Sequence, residues 1–365
     1  MAITFADLDL KTFADLEGPE RAFLTLYLSG SESVSNLEGR FRSIRSLLEG
    51  NETELEYFEE NLNLLDGLLD ELTFDTPSVA VFVCWALDIA KTLPLTVEVP
   101  DKVWMGSAPF IRPLAELQDE YQDFAVVVVD NSAAQIYFVH AAVVEGEGRV
   151  RGDVKNSVKK GGWSQKRYAR RREKELNEYA TGVAESLREL YDEEGFDRLV
   201  LLGSQEAMQA VEDQLPTALR ERLVGERTVD VADEQSVLKE AFEAYFEGER
   251  AEESALWEQI REGYLTGGLA VVGAQSVLEA AQSARVEVAL VDREVELEGT
   301  QCRDCEHAVY GTPETCQRCG SSDVFVVDYV NELVETLART GGEADFVDPF
   351  DALTEVGGVG ALLRY

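Results

Sequence analysis

Only two histidines, His140 and His307, occur in the 365 residues. That scarcity argues against a Ser-His-Asp arrangement and against a reaction built on an imidazole base. Long apolar runs are missing too. No stretch reaches the roughly 18 consecutive apolar residues that a membrane span requires. Met1 to Leu10 has neither a basic opening nor an apolar core, so no secretory signal is read there and a cytoplasmic location is expected. Positive charge is scarce: 33 Lys and Arg stand against 71 Asp and Glu, for a formal net charge of −38. The excess runs the whole length, as in a protein built for high salt, such as one from a halophilic archaeon. An ordinary acidic cytosolic protein is the alternative. Nucleic acid can be met only through a local island of opposite sign.

What is present begins with a 45% hydrophobic content, which marks a globular chain long enough for two or three cores. The pattern is mixed α/β. "AFLTLYLSG" (Ala22 to Gly30) reads as a buried strand, followed by helices over about Ser35 to Leu48 and Glu54 to Leu72. "SVAVFVCWAL" is the next strand, and Cys84 within it reads as an inert core thiol. "APFIRPLAELQDEYQDF", with Pro109 and Pro113, reads as a domain boundary. A hairpin about Asp130-Asn131-Ser132 opens the middle third. A polar loop from Glu145 to about Gln165 follows, then a helix over about Lys166 to Tyr191, then strand, helix and strand. The last third reads as a long helix over about Asp233 to Glu262, a strand–helix–strand unit, a cysteine-bearing insertion, a helix and the closing strand "GGVGALLRY". Three domains are expected: residues 1–120, 121–231 and 232–365, with the insertion at about 300–322.

The positive charge is gathered in one place. Eleven of the 33 basic residues lie between Arg149 and Lys174, among only two acids, Asp153 and Glu173. Arg167, Arg170, Arg171 and Lys174 recur at spacings of three and four, so they share one helical face. Leu176, Tyr179, Ala180, Val183, Leu187 and Leu190 then repeat at core spacing. One helix therefore docks through its later turns and offers its first turns as a cationic stripe suited to phosphates. A solvated face paired with neighbouring carboxylates is the structural alternative. Gly161 and Gly162 precede the stripe and permit close backbone approach to another molecule. The loop has no GK[ST], which argues against a nucleotide cradle of the P-loop kind.

"VKKGGWSQKRYARRRE" resembles the catalytic loop of the archaeal and eukaryotic class 1 peptide chain release factor superfamily, in which a Gly-Gly-Gln loop precedes an Arg-rich helix. "FAVVVVDNSAAQIYFV" is similar to that family's middle-domain hairpin, and "GGLAVVGAQSVLEAAQSARVEVALVD" with "GGVGALLRY" to its C-terminal domain. The resemblance covers about Phe124 to Tyr365. It implies a three-domain architecture with a mixed-sheet middle domain and an α/β sandwich C-terminal domain. It also implies hydrolysis of the peptidyl-tRNA ester in the large ribosomal subunit. By resemblance, Gln165 positions the water, Gly161 and Gly162 shape the loop, and Lys159, Lys160, Lys166, Arg167, Arg170, Arg171 and Lys174 meet rRNA or the tRNA acceptor end. Trp163 either stacks on an unpaired base or packs on the loop's own scaffold. Ser164 stands where a helix cap would.

Two departures matter. Trp163 and Ser164 separate Gly162 from Gln165, a Gly-x-x-Gln spacing that looks like the Vms/Ankzf-type branch, which frees nascent chains in ribosome-associated quality control. The Asn-Ile-Lys-Ser segment of stop-codon readers is missing; "FRSIRSLLEGN" is the nearest basic stretch. The expected activity is therefore peptidyl-tRNA hydrolysis in ribosome rescue or quality control. Stop-codon-dependent termination and a non-catalytic ribosome- or tRNA-binding adaptor are the rival readings. The resemblance also implies a translational GTPase or a recycling ATPase as partner of the C-terminal domain.

The remaining four cysteines, Cys302, Cys305, Cys316 and Cys319, stand as C-x2-C-x10-C-x2-C. Paired knuckles of this kind suit tetrahedral thiolate binding of a structural zinc, with iron the alternative. Four thiolates complete the shell, so His307 is not expected to be a ligand. The position agrees with a zinc-ribbon insertion carried by many archaeal members of the family.

Overall fold

The computed structural model describes residues 9–130, 133–140, 143–151, 164–193, 195–229, 234–305 and 307–365. Its chain forms two compact units, one of residues 1–120 with 256–365 and the other of residues 121–255.

The first unit opens with the short helix α1 (Leu10–Ala14) and strand β1 (Phe23–Leu28), then helices α2 (Ser31–Ser35), α3 (Leu37–Leu47) and α4 (Glu52–Glu71). Strands β2 (Ser78–Cys84), β3 (Ile89–Leu95) and β4 (Lys102–Gly106) complete a sheet ordered β3-β2-β1-β4, antiparallel throughout. β1 lies inside the sheet and is buried at every position. Its alternation still separates two faces. Leu24, Leu26 and Leu28 pack with Phe41, Phe58 and Leu65 of α3 and α4. On the other face, the Tyr27 hydroxyl donates to the Phe110 carbonyl at 2.7 Å, and the Phe110 N–H donates to Thr25 Oγ1 at 3.1 Å. Cys84 is fully buried, and burial pushes its thiol pKa up, as an inert core thiol requires.

The stretch around Pro109 and Pro113 forms helix α5 (Arg112–Glu120) rather than an open linker. Pro113 stands in the first turn, where a helix needs no N–H. Leu114, Ala115 and Leu117 are buried.

The second unit carries β5 (Phe124–Val129), β6 (Ala133–His140), β7 (Val143–Arg151), α6 (Ser164–Glu193), β8 (Arg198–Gly203), α7 (Gln205–Glu212), α8 (Thr217–Arg220), β9 (Leu223–Thr228) and most of α9 (Glu234–Thr266). The sheet order is β7-β6-β5-β8-β9, with β5, β6 and β7 antiparallel and β8 and β9 parallel to β5. Ala125, Val127 and Val129 face α6 and α7, while Phe124, Val126 and Val128 face Val237, Ala241, Ala244 and Tyr245 of α9. This is a mixed sheet between two helical layers. The polar segment from Glu145 to Arg151 is not loop, as its composition suggests, but the end of β7, paired register by register with β6. Its glycines and charges conceal a strand whose outer edge has no partner strand among the described residues.

The chain then returns to the first unit with β10 (Ala270–Val272), α10 (Ala274–Gln282), β11 (Val286–Asp292), β12 (Glu298–Cys302), β13 (Ala308–Tyr310), β14 (Val324–Asp328), α11 (Tyr329–Thr340), β15 (Glu343–Val347), α12 (Asp351–Glu355) and β16 (Val359–Leu363). The sheet β10-β16-β11-β15 has α10 and α11 on one face; Trp257 and Ile260 of α9 pack with Leu290, Val347 and Leu353 on the other. It is the expected α/β sandwich. β12, β13 and β14 form a separate three-stranded antiparallel sheet that carries the cysteines.

Ile111 and Ala115 belong to the same core as α10, α11 and β16. Asn331 Oδ1 accepts from the N–H groups of Ile111 and Arg112 at 2.9 and 3.0 Å. The Arg112 guanidinium donates to the carbonyls of Val295 and Arg293. Among the described residues no helix is long and apolar enough to cross a membrane.

Candidate functional site

α6 runs for 30 residues from Ser164, so Gln165 lies in its first turn. Its later turns are fixed by the core: Leu176, Tyr179, Ala180, Val183 and Leu187 are buried against the sheet. Positions 167, 170, 171 and 174 precede that packed stretch and share one helical face through the 3.6-residue period. Lys174 is exposed and pairs with Glu178, one turn on, at 3.2 Å. Lys159, Lys160, Gly161, Gly162 and Trp163 lie outside the described residues, as do the side chains of Ser164, Gln165, Lys166, Arg167, Arg170 and Arg171.

The second candidate is the cysteine cluster. β12 ends at Cys302, and the backbone turns back so that the Cys302 N–H donates to the His307 carbonyl at 3.2 Å. The second knuckle closes similarly: Cys316 N–H donates to the Ser321 carbonyl and Gly320 N–H to the Cys316 carbonyl. Gly320 has φ +79°, a left-handed backbone that favours glycine directly after a knuckle cysteine. The sulfurs of Cys302, Cys305, Cys316 and Cys319 all lie within 4.8 Å of one another. Cys302 and Cys319 Sγ are 3.5 Å apart, as are Cys305 and Cys316 Sγ. These separations exceed a disulfide's ~2.05 Å. They suit four sulfurs each about 2.3 Å from one ion, whose tetrahedral edge is roughly 3.8 Å. Backbone N–H groups of Cys319 and Arg318 hold the Cys316 thiol down to about 6, against the burial that pushes it up. The donor set thus fits a metal with all positions taken by protein, and it contains no histidine.

A cleft of about 650 Å³ within the first unit had no linear signal in the sequence. It is lined by Trp104, Phe110, Lys102, Arg112, Glu116 and Asp328 among others. Two ion pairs cross it: Lys102 with Asp328 at 3.6 Å and Arg112 with Glu116 at 2.7 Å.

Residues 109–245 match the family described as Bacterial archaeo-eukaryotic release factor family 10. Peptide chain release factor subunit 1 of Methanopyrus kandleri is 29% identical over 195 residues, covering 51% of this chain and 47% of that protein. The protein pelota homolog of Natronomonas pharaonis is 29% identical over 288 residues, 74% of this chain and 68% of that one. The chain is thus similar to members of the archaeal and eukaryotic class 1 release-factor superfamily. Its match spans about half the length of the first of these release-factor relatives. Among solved structures, the archaeal Pelota in "Model of ribosome-bound archaeal Pelota and ABCE1" is similar at 17% identity, over 79% of this chain and 77% of that one, with a TM-score of 0.42. The stretch that matches the release-factor family begins in the segment before α5 and ends in α9. It therefore includes the hairpin, the Gly-Gly segment and the whole of α6.

Proposed function

We propose that the chain is a ribosome-associated release-factor-like protein that hydrolyses the ester joining a nascent peptide to tRNA, in ribosome rescue or quality control. The observation that carries this reading is the span of the family match. It is one continuous stretch, residues 109–245, with the Gly161–Gln165 segment and the Arg-rich start of α6 at its centre.

Hydrolysis of an ester needs a placed water and stabilisation of the developing oxyanion, and neither demands a titrating side chain. In this reading the loop backbone at Gly161 and Gly162 approaches the ester and Gln165 orients the water. Lys159, Lys160, Lys166, Arg167, Arg170, Arg171 and Lys174 bind phosphates of rRNA or the acceptor end, and Trp163 meets an unpaired base or supports the loop. The two residues between Gly162 and Gln165, with the missing stop-reading segment, favour the Vms/Ankzf-type role over termination. The cysteine cluster holds a structural zinc, supplying rigidity and no chemistry to the ester. A translational GTPase or a recycling ATPase is the partner class that the family resemblance suggests.

The test is single-turnover cleavage of peptidyl-tRNA on large subunits and on whole ribosomes, with and without a stop codon. Cleavage independent of the codon is expected, falling by about 10²–10³-fold in Gln165→Ala with ribosome binding retained. Full activity in Gln165→Ala removes the catalytic assignment. Binding without any cleavage makes the protein an adaptor.

A further inference from the structure

Arg303 lies between the first two cysteines, in Cys302-Arg303-Asp304-Cys305, so the knuckle sets the position of its backbone. Its side chain turns away from the cluster. Nη2 and Nε donate to Glu54 Oε1 at 2.6 and 3.2 Å, and Nη1 donates to Asp323 Oδ1 at 2.6 Å. Glu54 stands in the first turn of α4, 249 residues away in sequence, with its side chain only 1% exposed. Arg21 Nε reaches the same Oε1 at 3.2 Å. The two guanidiniums share one aromatic support: both lie over the Phe325 ring, Arg303 at 4.8 Å and Arg21 at 5.0 Å. Glu54 Oε2 has no hydrogen-bond partner among the described residues. A buried carboxylate is tolerated only while its opposite charges stay in place.

We infer that metal loading of the cysteine cluster latches the α3–α4 region to the C-terminal part of the first unit through Arg303 and Glu54. Residues 311–323, which carry the second knuckle, contribute no regular strand, and most of them are exposed. The β12–β14 pairing and the Arg303 N–H bond to the Asp323 carbonyl at 3.0 Å fix the Arg303 backbone from one side, and the cluster fixes it from the other. When the four sulfurs are not held together, Arg303 loses the second of these anchors and its hold on Glu54 loosens. The α4 helix then separates more readily from its neighbour. Coupling of this kind is reciprocal, so breaking the ion pair weakens the metal by the factor by which metal strengthens the contact. The inference depends on the cluster holding a metal, but not on ester hydrolysis, and none of its readouts uses activity.

The experiment is hydrogen exchange followed by mass spectrometry on the full-length protein. Zinc content is measured first, and the sample is compared before and after removal by a strong chelator. On metal removal, peptides covering Glu52–Glu71 are expected to exchange about tenfold faster or more, while β5 and β8 of the second unit keep their protection. Zinc-loaded Arg303→Ala should show the same loss in α4 with the zinc retained. In chelator competition, Glu54→Gln should lower zinc affinity several-fold. Faster exchange confined to about residues 300–323 overturns the latch. So does loss spread equally over both units, unchanged zinc affinity in Glu54→Gln, or protein that binds no metal at all.

Discussion

Glu332 and Glu335 lie on α11, whose inner side packs in the core of the first unit. Burial raises the Glu332 carboxyl to about 7; the neighbouring Arg339 opposes the shift, and Asp328 and Glu17 add to it. Burial also pushes Glu335 well above the ordinary carboxyl range, and Glu332 reinforces the effect. Glu335 Oε1 accepts from Asn331 Nδ2 at 2.5 Å, and the same Asn331 brackets the start of α5. The folded protein therefore holds these protons at a pH where the unfolded chain has released them. The stability they allow is complete below about 4.5 and falls as pH rises through about 7. For Glu332 the loss is on the order of 3 kcal/mol. Urea titrations of parent and Glu332→Gln between pH 4.5 and 8 should show a shallower decline in the variant. Equal slopes would contradict the buried-proton account.

At the scale of elements, the inner strands of the larger sheets were legible, as were the edge strands β9 and β10, and those missed lie at edges. β1, β2, β5, β8 and β11 are apolar runs with sheet or helix on every side, so their composition announces them. The strands that the sequence conceals in the three larger sheets, β3, β4, β7 and β15, are all edge strands. β3 carries Lys91 and Pro94, and four of its residues are exposed or half-exposed in a row. Charge and proline at an edge deter unwanted pairing, and they also erase the apolar alternation that a reader looks for. The candidate sites divide in the same way. The cysteine knuckles and the arginine stripe are local spacings and can be read directly. The contact of Arg303 with Glu54 depends on two distant elements meeting, which no local pattern records. One strand end also fixes a backbone requirement: Gly203 closes β8 at φ +141°, and a Cβ there would lie 1.8 Å from the Val129 carbonyl oxygen. Gly203→Ala should cost at least ~2 kcal/mol, seen as a lower urea midpoint and faster exchange in β5 and β8.

For the whole molecule, charge sets two opposite salt responses. A net charge of −38 repels itself, and added salt screens that repulsion within about 10 Å at 0.1 M and about 3 Å at 1 M. The unfolding temperature should therefore rise between 0.1 and 2 M KCl. Attachment through the cationic stretch of Arg149 to Lys174 should weaken over the same range, because phosphate contacts release counterions. A binding titration at several salt concentrations, with Arg167, Arg170 and Arg171 replaced by alanine, should show a shallower salt slope in the variant. A different consequence follows from the first unit's being made of the chain's two ends. The sheet β10-β16-β11-β15 has its last strand, Val359–Leu363, at an inner position, and Ile111 and Ala115 share its core. Removing Val359 to Tyr365 should leave a protease-resistant second unit and a first unit that digests. During synthesis, the apolar face of α5 stays uncovered until residues beyond the second unit have been made. Order along the chain thus runs against order of packing: α5 emerges before the second unit and gains α10, α11 and β16 as partners only after it.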